Sequence, residues 1–401
     1  MKVLEINTIC GKGSTGRIAC QIADVVVQNG GEATVAYGRD YFPQGCNVPV
    51  FRIGSDIGVK IHAGLSRITD RQGFYSKRAT KRLIRFIKEY DPDIIHLHNL
   101  HGYYLNLQVL FSFLSIYNKP VVWTLHDCWA FTGHCSYFEY IGCDKWKTGC
   151  HHCPQKKRYP KSLILDQSKR NWEEKRELFT SVADMTIVTP SYWLAGLIRE
   201  SFLKKYPVEV IHNGIDLEVF KPTPSSWKED HGIAKPIVLA CAYLWDERKG
   251  YADVFKLAEL LPDYQIVIVG ISEKQAKVLP SSVFGIQRTN SVEELVKIYS
   301  AADIFVNPTY EEVLGLVNLE ALACGTPVIT YNSGGSPECV DDSCGIVVEK
   351  ENIQELAKNI LSAMRFERDV CIAFSQRFSK TNKYSEYFYS FKSLVAKKGE
   401  L

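Results

Sequence analysis

The chain has 401 residues, 46% of them apolar, and a formal net charge of +3 at pH 7. That length allows two or three domains, the apolar share is that of an ordinary globular protein, and so small a charge gives no reason to expect a nucleic-acid partner. The opening Met1-Lys2-Val3-Leu4-Glu5 carries an acid and reads as a strand, not a signal peptide. The uncharged stretch from Ile94 to Asn118 holds His96, His98 and His101 and is too polar for a membrane span. A cytoplasmic protein is expected, at most peripheral on the inner face of the cytoplasmic membrane. The 13 cysteines then read as free thiols or metal ligands. Five fall between Cys128 and Cys153, and the other eight are scattered like small core residues.

In chain order, Lys2 to Thr8 reads as a strand and Ile18 to Val27 as a helix. Between them Gly11-Lys12-Gly13-Ser14-Thr15-Gly16-Arg17 matches G-x-G-x-x-G, with the strand before and the helix after that a dinucleotide site needs. It is not a Walker loop, because Arg17-Ile18 stand where Lys and Ser/Thr are required. A nicotinamide site would also want an acid ending the second strand, near Ala33 to Tyr37, where Gly38-Arg39 stand instead. An NAD(P)-dependent oxidoreductase built on Gly11 to Gly16 is therefore a rival reading with a missing part.

Between Lys60 and Lys88, Lys60, Arg67, Arg71, Lys77, Arg78, Lys81, Arg82, Arg85 and Lys88 outnumber one acid, Asp70. Leu83, Ile84, Phe86 and Ile87 interleave with them, so a basic amphipathic helix is expected. Its charged face is either simply solvated or docks on an anionic membrane. Pro92 to His98 is a further strand, with His96 and His98 off the face of Ile95 and Leu97 and near the strand's C-terminal end. Pro120 to Leu125 delivers His126-Asp127, a neutral imidazole able to donate to a hydroxyl, with Asp127 available to hold it.

Cys150 and Cys153 have the C-x2-C spacing that lets two thiolates reach one zinc ion, and Cys135 with Cys143 is the natural remaining pair. A closed structural zinc site is expected to pin an insertion over 128–160. His134, His151 or His152 in place of one thiolate stays open, as do reduced thiols with no metal. Asp184 to Thr189 and Val208 to His212 are strands, and the domain boundary is expected near Pro207.

In the second half Ile237 to Ala242, Gln265 to Gly270 and Val283 to Gln287 read as buried strands. Asp303 to Val306 is another, broken by Asn307-Pro308 and followed by a helix from Leu316 to Cys324 and a strand from Val328 to Tyr331. Glu312 lies in the loop and Glu320 in the helix. A carboxylate inside so apolar a helix should meet ligand hydroxyls or a cation. Gly315 lets the backbone approach a ligand where the helix, from Leu316 on, presents unpaired N–H groups. That arrangement suits a diphosphate, with a carboxylate one turn further in for a ribose diol.

Glu312 and Glu320, with seven residues between them and followed by A-L-A-C-G-T-P-V-I, resemble the E-x7-E signature of retaining family 4 glycosyltransferases of the GT-B fold. The resemblance is closest to bacterial enzymes that build surface polysaccharides and covers most of the chain. It implies an α/β protein of two doubly wound Rossmann-like domains facing across a cleft. Residues 1–206 would form the acceptor-side domain, 207–380 the nucleotide-sugar domain, and 381–401 a helix crossing back to the first. It implies transfer of a hexosyl group from a UDP- or GDP-sugar to a glycan acceptor, lipid-linked where the membrane reading holds, in capsule, O-antigen or exopolysaccharide assembly.

By the same resemblance Glu320 holds the ribose, Glu312 grips the sugar ring, His126 stands beside the reacting sugar, and the loop with Gly13 and Gly16 shapes that wall. The family carries an Arg five residues before a Lys-Gly that grips the diphosphate. Here Lys249-Gly250 match, Leu244 occupies the Arg position, and Arg248 is the expected substitute. Fixed cations and amides would then neutralise the leaving group, so no catalytic divalent ion is expected. A non-catalytic nucleotide-sugar-binding protein is the second rival.

Overall fold

The computed structural model describes residues 1–40 and 45–399. It divides into two compact units: Met1–Ile211 together with the chain from Lys383 onward, and His212–Asn382.

In the first unit seven parallel strands lie in the order β3-β2-β1-β4-β5-β6-β7. They are β1 (Lys2–Asn7), β2 (Glu32–Tyr37), β3 (Val50–Arg52), β4 (Ile94–Leu97), β5 (Val121–Thr124), β6 (Met185–Thr189) and β7 (Val208–Val210). The order reverses between β1 and β4, which opens a ligand crevice at their C-terminal ends. Register sets Glu5 beside His96 there. The first helix, Gly13–Gln28, starts inside the glycine motif, earlier than its apolar periodicity indicates, and buries Ile18, Ile22, Val25 and Val26 on the sheet side.

The basic stretch is two helices, Asp56–Thr69 and Lys77–Tyr90, where the sequence had pointed to one. Asp70 divides them: it ends the first in a left-handed conformation (φ 56°), and its carboxylate accepts from Gln167 N at 2.8 Å and meets His134 Nδ1 at 2.5 Å. The Cys-rich insertion packs Phe131, Phe138 and Trp146 against one another. Under it lies the buried Lys175, whose Nζ donates to the carbonyls of Trp129 (2.5 Å) and Thr132 (2.8 Å).

Because β7 bonds to β6, the first unit extends to Ile211, four residues past Pro207. The last helix, Lys380–Gly399, places Tyr384, Tyr387, Phe388 and Phe391 in that unit's core beside Ile22 and Val26. Among the described residues no helix is long and apolar enough to cross a membrane.

The second unit holds six parallel strands in the order β10-β9-β8-β11-β12-β13. These are β8 (Ile237–Cys241), β9 (Gln265–Val269), β10 (Val283–Ile286), β11 (Ile304–Asn307), β12 (Val328–Tyr331) and β13 (Gly345–Val348). Here the reversal falls between β8 and β11, so the loops leaving those two strands flank the crevice. Cys324, Cys339, Cys344 and Cys371 fill this unit's core, and Cys10 and Cys20 that of the first. A convergence the spacing does not show is that Cys10, Cys20 and Cys46 bring their sulfurs within 4.8 Å of one another.

Candidate functional site

At the second unit's switch point, the loop after β11 carries Glu312 and ends at Gly315, which caps the helix Leu316–Ala323 in a left-handed conformation (φ 85°). Only glycine takes that conformation cheaply, and no side chain caps the helix: Asn318 N turns back to Gly315 O (2.9 Å), while Leu316 N and Val317 N have no hydrogen-bond partner among the described residues. A Cβ on Gly315 would stand 3.2 Å from both Asn318 Nδ2 and Ser336 Oγ. Those two atoms and Ser333 Oγ are buried and have no hydrogen-bond partner among the described residues. Buried polar atoms are nearly always paired, so three orphans near one helix N-terminus mark a place where a polar ligand belongs.

The loop after β8 supplies the cations. Lys249 Nζ is ion-paired with the Glu312 carboxylate, and Arg248 Nη1 donates to the Glu311 carbonyl at 2.9 Å. Burial alone would push the Glu312 carboxyl up, but Lys249, and then Arg248, outweigh it and hold the group below its ordinary value. The two loops are knitted by Tyr310 N donating to Arg248 O (2.8 Å) and by Gly250, where any Cβ would meet Pro308 O at 2.0 Å. The loop after β12 closes the third side: Gly335 N donates to Glu312 O at 2.9 Å. Leu244, at the position where the resemblance wants an arginine, is exposed.

Glu320 is half-buried, not fully enclosed, and its Oε2 accepts from Tyr299 OH at 3.1 Å. Glu320, Glu312, Lys249, Arg248, Gly315 and Leu316 therefore all belong to one unit, on loops and a helix around one switch point.

In the first unit Gly13 opens its helix at φ 61°, and Gly16 presses on Ile9, whose Cγ1 would lie 3.1 Å from an added Cβ. His126, after β5, is half-buried, and burial pushes it down to about 3, so the imidazole is neutral. Asp127, the neighbour available to hold it, does not hydrogen-bond to it. The Asp127 carboxylate turns back into the bend it opens, accepting from Trp129 N and meeting His101 Nε2, each at 2.9 Å. His126 Nε2 instead meets His98 Nδ1 at 2.9 Å, and His98 Nε2 meets Glu5 Oε2 at 2.7 Å.

Cys135, Cys143, Cys150 and Cys153 line one small pocket with Thr132 and Trp146. Cys135 and Cys153 are hydrogen-bonded to each other, but no three of the four sulfurs lie within 4.8 Å of one another: among the described residues, the groups of three or more ligating atoms that do are the Cys10 trio and Glu5 with His96 and His98. Of the three histidines left open as ligands, His134 has its Nδ1 on Asp70 and its Nε2 buried and unpaired.

Sequence reasoning missed Asn318, Ser333, Ser336 and Glu5. The argument applied to Glu320, a polar residue inside an apolar run, would have found Asn318 and Glu5. The serines flanking Gly334-Gly335 carry no such signal.

The model of "Glycosyltransferase Family 4" matches residues 15–219, and that of "Glycosyl transferases group 1" matches residues 225–387. A putative colanic acid biosynthesis glycosyl transferase of Escherichia coli (strain K12) is 26% identical over 89% of this chain and 90% of its own. A D-inositol 3-phosphate glycosyltransferase of Mycobacterium sp. (strain JLS) is 30% identical over 45% of each chain. In fold the protein is similar to sucrose-phosphate synthase from Thermosynechococcus elongatus (TM-score 0.69, 18% identity, 98% of this chain and 99% of the other). The Anabaena HepE protein in complex with UDP is also similar (TM-score 0.66, 19% identity, 98% and 100%). The two units share the architecture of these GT-B proteins, and with a family match over more than half its length the chain belongs to Glycosyltransferase Family 4.

Proposed function

We propose that the protein moves a hexosyl group from a UDP- or GDP-sugar to a hydroxyl acceptor with retention, in the assembly of a bacterial surface polysaccharide. One observation carries the reading: the orphaned Asn318 Nδ2, Ser333 Oγ and Ser336 Oγ near the uncapped helix at Gly315, in the unit that also carries Lys249 and Arg248. Outward N–H groups, neutral donors and fixed cations suit a diphosphate, which gains negative charge as the bond to the anomeric carbon breaks. Glu320, steadied by Tyr299, takes the ribose hydroxyls, and Glu312 takes the sugar ring once the diphosphate draws Lys249 away. His126 donates to a sugar hydroxyl. The E. coli relative's name supports the polysaccharide setting. These groups can neutralise the leaving diphosphate without a divalent ion, and the reading assigns none. The test is mass spectrometry of a UDP- and GDP-sugar panel with the wild type and Glu320→Gln. Transfer or slow donor hydrolysis at least tenfold weaker in the variant is expected, and equal turnover would remove the reading, as would no turnover of any donor.

The reading includes peripheral contact with an anionic membrane that carries a lipid-linked acceptor. The helix Asp56–Thr69 turns Ile57, Ile61, Leu65 and Ile68 outward, 39 to 71% exposed. Beside its end run the exposed Leu163, Ile164 and Leu165, tied by Leu163 N to Arg67 O (2.7 Å) and Leu165 N to Ile68 O (3.1 Å). A groove of about 730 Å³ between this helix and the next is rimmed by Lys77, Arg78, Arg82 and Arg85. An apolar ridge beside a row of cations is what an anionic bilayer surface takes up.

The reading also keeps a structural zinc ion in the 128–160 insertion. Cys135, Cys143, Cys150 and Cys153 share one pocket, with Cys135 and Cys153 already in contact, so thiols of the right type stand together there, and Asp70 holding His134 is the support that a metal-bound imidazole uses. Elemental analysis of purified protein is expected to find about one zinc per chain, lost in Cys150→Ser/Cys153→Ser, and metal-free folded protein would exclude it.

A further inference from the structure

Glu5 lies on β1 with no exposed surface, in the middle of an apolar strand. Its Oε2 is 2.7 Å from His98 Nε2 and 2.7 Å from His96 Nδ1, the second of these not aligned as a hydrogen bond. His96 is anchored from its other side, Nε2 to Thr124 Oγ1 at 2.7 Å. His98 spends both nitrogens: Nε2 on Glu5 and Nδ1 on His126 Nε2 at 2.9 Å, with the His98 and His126 rings 10° from parallel. His126 Nδ1 has no hydrogen-bond partner among the described residues.

Burial pushes His98 down to about 3, as it does His126, so both rings are neutral. A neutral imidazole donates through one nitrogen and accepts through the other. The chain from Glu5 to His126 can therefore run only one way at a time. If Glu5 is ionised, it accepts from His98, His98 accepts from His126, and His126 Nδ1 is left as an acceptor. If Glu5 carries a proton, it donates to His98, His98 donates to His126, and His126 Nδ1–H is a donor.

The surroundings choose between the two. Glu5 Oε1 is buried with no hydrogen-bond partner among the described residues, and the charged form of a carboxyl with only one oxygen hydrogen-bonded in an apolar core is the costlier one. The groups that face Glu5 are His96 from β4, His98 just after that strand, Tyr387 from the last helix and Cys46 from the chain after β2, none of them a fixed cation. His126 faces His96, His98, His101 and Asp127. Burial raises the Glu5 carboxyl in agreement.

We propose that Glu5, acting through His98, is the positioning residue that holds His126 in the tautomer with the proton on Nδ1, and so makes it a hydrogen-bond donor toward the transferred sugar. The clause about the sugar rests on the function proposed above; the tautomer does not. No proton leaves the chain, since the three groups only share the one Glu5 brings.

The test separates the two. Full-length protein labelled with 15N-histidine, with His126 assigned by difference against His126→Gln, reports the tautomer without any substrate. The Nδ1–H form is expected in the wild type and in Glu5→Gln, whose amide donates as the acid does, and is expected to be lost in Glu5→Ala. An Nε2–H tautomer in the wild type, or one indifferent to both Glu5 substitutions, overturns the proposal. In transfer assays kcat should fall roughly tenfold or more in Glu5→Ala. Glu5→Gln should recover most of that loss, and nucleotide Kd should not move. Glu5→Gln as impaired as a folded Glu5→Ala would mark a merely structural acid and also overturn it. The predicted tautomer with no turnover of any donor would sink the transferase reading alone.

Discussion

The Lys249–Glu312 pair sets the charge of the proposed donor site before a ligand arrives. Both side chains are about one-fifth exposed, and Glu312 is held below its ordinary range in spite of its burial. A carboxyl whose folded value is depressed stabilises the fold fully above its unfolded value of about 4.3, and the benefit is lost as pH falls through the folded value. Thermal unfolding between pH 6 and 3 should thus show an acid-side loss of stability that shrinks in Glu312→Gln; an identical slope would show the pair to be energetically idle. Much at this scale was legible in the sequence. Glu320 stands out because a charge inside an apolar helix needs a reason, whereas Glu312 and Lys249 were picked out by the family resemblance. The partner of His126 was not legible, because His98 reaches it only through the pairing of β4 with β5, 28 positions away in the chain.

Among the elements, the Asp56–Thr69 helix departs most from the pattern read off the sequence. The density of basic residues suggested one helix with a charged face, but the first helix buries only His62 and Ser66 and exposes its isoleucines. Asp70 ends it because its carboxylate is recruited by Gln167 and His134 from the insertion, a contact that local periodicity cannot encode. If this ridge meets a membrane, Ile57→Asp/Ile61→Asp should abolish flotation with phosphatidylglycerol vesicles and leave fold and nucleotide binding intact. Unchanged flotation, or equal binding to phosphatidylcholine vesicles, would contradict it. The elements around Gly315 follow the sequence closely, since an apolar run, a glycine and an eight-residue helix leave little freedom there.

Across the whole molecule, alternating strands and helices made two doubly wound units legible, and each sheet does reverse its order once, between β1 and β4 and between β8 and β11. The chemistry-bearing residues cluster at those two places, as the crevice rule requires. The exchange of the last helix into the first unit was expected from family resemblance, not from periodicity; its aromatic residues only say that it is buried somewhere. The account depends most on the cradle at Gly315. Isothermal titration of UDP and GDP into the wild type and Gly315→Ala tests it directly. The alanine strains a φ of 85° and crowds Asn318 Nδ2 and Ser336 Oγ. Loss of one charge-assisted contact costs roughly 1.5–3 kcal/mol. The wild type should therefore bind one of the two nucleotides, and the variant should bind it at least about tenfold more weakly. Equal affinity in the two proteins, or no affinity for either nucleotide in the wild type, would contradict the account.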